Sequence, residues 1–298
     1  MNVSFRSSRL PLAVVAIAGL LAIGAGAGQA ADPFVAGGRS TRAVNAPLDH
    51  LARAEARGKA LTAALGIPSN SHRATRLDDK FEHRTYDEVS SVDGTGREVA
   101  ISRFDLDGTV SMVVALGWQP RAGRAVDAPG AARSAIAVAR AAGLAIVGQP
   151  NVRASAGAGG WSIAWQRRVD GIPVRGDGVR VSLWPDGSFH GLTRSERPLA
   201  TAPARSLTPA AARAIAAGLA ATRLGAAVAE ARIAGAEQAW LAPNDMFGSA
   251  RLDAPAATLR LAWVVRFETS GALAERLRQL ELWIDAGDGT VLGGDVVE

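Results

Sequence analysis

The chain has 298 residues, no cysteine, and a formal net charge of +5 from 33 basic and 28 acidic side chains. The absence of thiols excludes disulfide stapling, thiol catalysis and a lipid-modified N-terminal cysteine. Nearly all the positive charge is arginine, Lys59 and Lys80 being the only lysines, and no basic run exists, which argues against a nucleic-acid partner.

Residues 1–30 read as a secretory signal peptide. Arg6 and Arg9 form a short positive region, Leu10 to Ile23 is apolar, and a small-residue tract ends Gly28-Gln29-Ala30-Ala31. Cleavage after Ala30 or Ala31 would export the chain to the periplasm or the medium and lower its charge from +5 to +3. A retained membrane anchor is the competing reading, since the apolar run borders on spanning length.

Residues 31–80 are expected to be a linker and an N-terminal helical segment. Asp32 to Asn45 reads as a tether, and Leu48 to Leu65 as a helix carrying Leu51, Leu61 and Leu65 and stopped by Gly66-Ile67-Pro68. Ser69 to Lys80 is polar and reads as loop. Arg97 to Trp118 has the pattern of a hairpin, with Val99, Ile101 and Arg103 alternating before an Asp107-Gly108 turn and a return through Val110 to Leu116. Asp105-Leu106-Asp107-Gly108 has the flavour of a calcium loop, but the downstream glutamate such a loop needs is missing, so a turn is expected.

Two similar units are predicted next. The first starts with a helix capped by Asp127 and closed by Gly143, then a strand over Ala145 to Arg153. The second starts at Thr208-Pro209, with threonine at the N-cap and proline at the first helical position, stops at Gly225, and continues as a strand over Glu230 to Trp240. The following strands repeat. Trp161 to Val169 matches Leu259 to Phe267 with Trp165 on Trp263, an offset of 98 residues (165 to 263). Val181 to Gly187 matches Leu280 to Gly289 with Trp184 on Trp283, an offset of 99 (184 to 283). A near-constant offset marks an internal repeat. Leu259, Leu261, Trp263, Val265 and Phe267 share one face, and Trp161, Ile163, Trp165 and Val169 share its counterpart, Arg167 being the exception. The extra length of the second unit is placed in Leu241 to Pro255.

The second unit closes Leu282-Trp283-Ile284-Asp285-Ala286-Gly287-Asp288-Gly289-Thr290-Val291-Leu292, which resembles the end of a PepSY domain, and the Thr208 to Ala216 helix and Trp263 strand sit where that domain has its helix and central strand. Trp165 to Val179, with Gly171-Ile172-Pro173-Val174-Arg175-Gly176, is similar to the Gly-x-Pro-Val-x-Gly strand of fungalysin/thermolysin propeptides. The resemblance implies an α+β fold of two tandem units, each one helix on a short antiparallel sheet (cystatin-like or PepSY-like), preceded by a β-hairpin and an N-terminal helix. It implies a propeptide-like unit at 81–203 and a PepSY-like unit at 204–298. In secreted metalloprotease precursors such prodomains assist folding of the protease and inhibit it. The protease itself would carry His-Glu-x-x-His on a helix; this chain has only His50, His72, His83 and His190, no two of them four apart. The chain also ends where such a propeptide would end, so the expectation is a stand-alone prodomain-like protein without a peptidase.

No catalytic, cofactor or metal residues are predicted, there being no Gly-x-Ser-x-Gly elbow and no histidine ligand spacing. Arg175-Gly176-Asp177 reads as a tight connection between two strands. The opposite sheet faces are the candidate surface: Arg260, Arg266, Glu281 and Trp283 in one unit, Arg168, Arg180, Ser182 and Trp184 in the other. Tryptophan flanked by arginine on an open sheet suits protein recognition; sheets packed on one another would instead hide both tryptophans. The expected function is an exported, non-catalytic protein that binds or regulates a secreted or envelope protein such as a protease. An envelope structural or accessory role is the alternative, and an unrecognised hydrolase the third.

Overall fold

The structure, a computed structural model, describes residues 41–79, 84–116, 124–155, 160–244, 246 and 258–297. The expected signal peptide, Lys80, His83, Trp118 and most of the loop before Pro255 lie outside the described residues.

The described chain is α+β with a mostly antiparallel sheet. A short strand, β1 (Thr41–Ala43), precedes a pattern that occurs three times: a long helix, then four antiparallel strands, the third copy adding a four-residue helix (Gly271–Ala274) between its second and third strands. Helix α1 (Leu48–Ala64) leads into β2 (Ser71–Asp79), β3 (Arg84–Val92), β4 (Glu98–Asp105) and β5 (Val110–Ala115). Helix α2 (Ala128–Ala141) leads into β6 (Asn151–Ala154), β7 (Trp161–Val169), β8 (Ile172–Leu183) and β9 (Phe189–Ser195). Helix α3 (Pro209–Leu224) leads through a 3-10 turn (Gly225–Glu230) into β10 (Ala231–Leu241), β11 (Arg260–Thr269), β12 (Gln279–Asp285) and β13 (Val291–Val297).

The predicted hairpin is therefore the second half of a four-stranded meander. The segment from Ser69 to Lys80, expected to be loop, contains β2. Its polar residues hide the strand because they have partners on β3: Arg76 holds Asp87 at 2.9 Å, and Thr85 donates to Asp78 at 3.1 Å. The strand expected over Ala145 to Arg153 shrinks to the four residues of β6.

Each helix starts and seats by simple rules. Asp127 accepts from Gly130 N–H at 2.8 Å and Thr208 from Ala211 N–H at 3.2 Å, capping α2 and α3. The buried seams are small residues one turn apart: Ala54 and Gly58, then Ala131, Ala135 and Ala139, then Ala212, Ala216 and Ala220. Small seams let each helix lie close to its sheet; a methyl at Gly58 would stand 2.6 Å from Val89.

The same turn joins the last two strands of every unit. Asp107-Gly108-Thr109, Asp186-Gly187-Ser188 and Asp288-Gly289-Thr290 each have the aspartate accepting the N–H two residues on, at 2.8, 2.9 and 2.8 Å. The three glycines have φ of 88°, 80° and 78°, where a Cβ is strained.

These turns fix the alignment between units. Asp105, Trp184 and Asp285 each donate N–H to the carbonyl of the residue closing the turn, at 2.8, 2.9 and 2.7 Å. One residue earlier, Phe104 pairs with Asp87, Leu183 with Trp161, and Ile284 with Trp263. The counterpart of Trp263 is thus Trp161, an offset of 102 (161 to 263), and not Trp165 as the sequence pattern predicts. Val181 matches Leu282, an offset of 101 (181 to 282), and Trp184 matches Asp285 instead of Trp283. Both corrections are even numbers of residues. A strand's side chains alternate with period two, so an even slip keeps every apolar residue on its face and is invisible to the pattern.

Strands β5 and β9 pair antiparallel, merging the first two units into nine strands under one shared core. Both α1 and α2 cover the same face, over Val89, Val113, Ile163, Val181 and Leu192. The third unit has its own core, Val265, Phe267, Leu280, Leu282 and Ile284 beneath α3. It attaches through a parallel pairing of Trp240 with Val174 and a bridge from Leu199 to Leu259.

Candidate functional site

The six predicted surface residues fall in different settings. Arg260, Arg266 and Trp283 share the helix-free face of β11 and β12. There Arg260 pairs with Asp285 at 2.8 Å, and Arg266 with Glu281 at 3.3 Å and Glu237 at 3.4 Å. Trp283 is half-buried against Ala239, Leu241, Ala262, Val264 and Leu292. Arg180 is exposed on the helix-free face of the nine-stranded sheet, between Ala164 and Thr193. Arg168 lies at the end of the β7–β8 hairpin and donates to Gly171 O at 2.7 Å. Trp184 sits before the β8–β9 turn, its ring tilted against His190 at 4.4 Å. Among the described residues, Trp184, Trp240 and Trp283 each bury an indole N–H without a hydrogen-bond partner.

Arg175-Gly176-Asp177 lies inside β8, where strand pairing with β7 shifts between Gln166 and Arg168, and not between two strands. This bulge is the joint between the nine-stranded sheet and the third unit. Gly178 has φ of 132°, and a methyl there would stand 2.0 Å from Trp165 O. Buried Asp177 accepts from Arg197 N–H at 2.7 Å, Arg197 Nε at 2.6 Å, Ser195 Oγ at 3.1 Å and Arg167 Nη1 at 3.3 Å. Arg175 reaches the other way and pairs with Glu281 of β12. Burial alone would raise the Glu281 carboxyl, but the hydrogen bonds and charges of Arg175 and Arg266 outweigh it and hold it below the usual glutamate range.

The first unit differs chemically from the other two. Where they place Trp161 and Trp263, it places Asp87. That carboxylate is fully buried and held by Arg76 Nε at 2.9 Å and His50 Nε2 of α1 at 2.8 Å. Ser91 stands where the others have Trp165 and Phe267. At the other end of α1, Thr62 Oγ1, Ser69 Oγ and His72 Nε2 lie 3.0 to 3.1 Å apart. Burial, then Lys59, lowers the His72 pKa, and Glu55 opposes them. These groups dock α1 to β2 and β3 through polar contacts, where α2 and α3 present alanine.

A cleft of about 590 Å³ opens between the C-terminal halves of α1 and α2 and the β4–β5 turn. Leu61, Phe104 and Val110 are its buried lining, and Arg57 extends along it to the Gly108 turn. The sequence reading missed this cleft, because its lining comes from α1, α2 and the Asp107-Gly108 turn, which no local pattern brings together. The signal that was present is the Asp-Gly-Thr/Ser turn, which recurs in all three units. Among the described residues, no cluster of three His, Asp or Glu is arranged to hold a metal ion. The carboxylates at Asp87, Asp177, Glu281 and Asp285 are engaged by arginines that join one element to another.

No family model matches this chain, and no curated protein does. Among solved structures, the Bacillus megaterium YpeB C-terminal domain is similar, at 12% identity and a TM-score of 0.46, covering 86% of this chain and 99% of that chain. At that identity and score the likeness assigns neither family nor function.

Proposed function

We propose that this chain is an exported, non-catalytic protein that binds and restrains a secreted or envelope protein, in the manner of a propeptide-like PepSY module separated from its protease. The motifs at Gly171 to Gly176 and at Leu282 to Leu292 support this reading. So does the recurrence of one element order with one turn, which we read as three copies of an ancestral helix-and-meander unit.

One observation carries the reading. The charged side chains hold elements to one another, while a broad sheet face is left without a described helix over it. Thr75, Glu88, Arg103, Met112, Thr193 and Ser162 are half-exposed there, and Arg180 is exposed. A wide, rigid, mixed-polarity face suits contact with another protein. The test is to incubate the chain lacking its first 31 residues with a secreted thermolysin-type metalloprotease and follow peptide cleavage. Slowed cleavage at micromolar protein is the expected result; an unchanged rate retires the inhibitory role.

A further inference from the structure

We infer that the cleft between α1 and α2 binds an extended segment of a partner polypeptide, with Arg57 taking an acidic side chain and the walls taking its apolar neighbours. This rests on the partner-binding reading above and adds to the helix-free sheet face a second contact, on the helix side of the same sheet.

The three units supply their own control. Each Asp-Gly turn touches the helical part of its own unit. A methyl on Gly187 would meet Val126 and Ser134 at 3.3 Å, and one on Gly289 would meet Ile215 at 2.9 Å. In the first unit the same methyl would stand 2.2 Å from the Arg57 guanidinium carbon. So a cation occupies a position that the other units fill mainly with aliphatic side chains.

Among the described residues, Arg57 has no hydrogen-bonded carboxylate. Asp105 is taken by Arg84 and Arg194. Asp107, on the same turn, accepts Thr109 N–H at 2.8 Å; this bond, the Thr109 hydroxyl and, more weakly, the charges of Arg194 and Arg57 lower its pKa, but Asp107 and Arg57 make no hydrogen bond or close ion pair. A guanidinium lying along apolar walls without a carboxylate gains from an incoming one, because charge-assisted bonds strengthen as water is excluded. Along the helical side the exposed rim at Ala60, Ala64 and Ala141 has only methyl groups, so a backbone can lie close, while exposed Asp107 stands on the turn side. The cleft is more open than enclosed, which suits a chain running past it better than a buried small molecule.

The experiment uses the chain lacking its first 31 residues and a fluorescein-labelled peptide alternating leucine with glutamate, against the same peptide with glutamine. Anisotropy should show the glutamate peptide binding about tenfold or more tightly, with the preference shrinking at high salt. Arg57→Met, checked for an unchanged melting temperature, should erase the preference, and Arg57→Lys should keep part of it. Equal binding of the two peptides, no binding of either, or a preference that survives Arg57→Met overturns the proposal. So does tighter binding of a free fatty acid than of the glutamate peptide. If wild type slows the metalloprotease and Arg57→Met slows it equally, the cleft assignment falls and the partner reading stands. If wild type prefers the glutamate peptide but leaves the protease untouched, the cleft stands and the protease reading falls.

Discussion

The first and third units place their buried charge on opposite sides of the same meander. In the first, Asp87 faces the helix and is tied to His50 on α1. In the third, the equivalent position is Trp263, whose indole N–H donates to Leu207 O at 3.0 Å just before α3. The third unit's charge lies on the helix-free face instead, at Glu281, where it fastens the unit to β8 through Arg175. A helix can thus be docked on one backbone design by a polar anchor or an apolar one.

The sharpest way to break this comparison is Asp87→Ala. It strands Arg76 and His50 beside a buried cavity, and removing one partner of a buried pair costs about 3–5 kcal/mol. Urea unfolding followed by circular dichroism should show that loss. A change below about 1 kcal/mol would mean that α1 is held by its apolar seam alone.

Glu281→Gln comes next. It should destabilise the chain by about 1.5–3 kcal/mol at pH 7, since it removes charge-assisted bonds from Arg175 and Arg266. The folded state holds this carboxyl below its ordinary value of 4.5, so its contribution is complete above that pH. The contribution is lost as the pH falls on through the lower, folded-state value. The stability gap between wild type and variant should therefore close in acid; a gap that is constant from pH 7 downward contradicts the pairing.

The turns refine the comparison further. Gly187→Ala and Gly289→Ala each force a side chain into positive φ, at about 1–2 kcal/mol. Gly108→Ala should cost a similar amount in melting experiments and, alone of the three, should also weaken glutamate-peptide binding by displacing Arg57. Trp263→Phe exchanges the bicyclic indole for a smaller ring: it loses one hydrogen bond, worth about 1 kcal/mol, and adds the cost of the space left between the two cores it packs against.

Much of this architecture was legible in the sequence. The caps at Asp127 and Thr208, the stops at Gly66 and Gly225, and the inward faces of β7 and β11 follow from local chemistry and period. The first unit was not legible as a unit, because Asp87 and Ser91 stand where tryptophan and phenylalanine would have announced the repeat, and β2 is too polar to alternate. The register failed for a different reason: hydrophobic alternation is blind to even slips, and only the Asp-Gly turns fix it. The joint at Asp177 was hidden because its partners, Arg167, Ser195 and Arg197, meet only when β8 bends. The helix-free faces of β7, β8, β11 and β12 could be read from alternation, but the Arg57 cleft depends on α1 and α2 lying side by side, which no local pattern reports.

The most direct test is hydrogen exchange of the chain alone and with a thermolysin-type metalloprotease, read by mass spectrometry. Binding through the first two units predicts slowed exchange in the cleft at 53–64, 104–110 and 139–144, in the sheet-face strands at 84–92, 110–115 and 189–195, or in both, with 260–296 unchanged. Slowed exchange confined to 260–296, or none anywhere at saturating protease, would contradict the account.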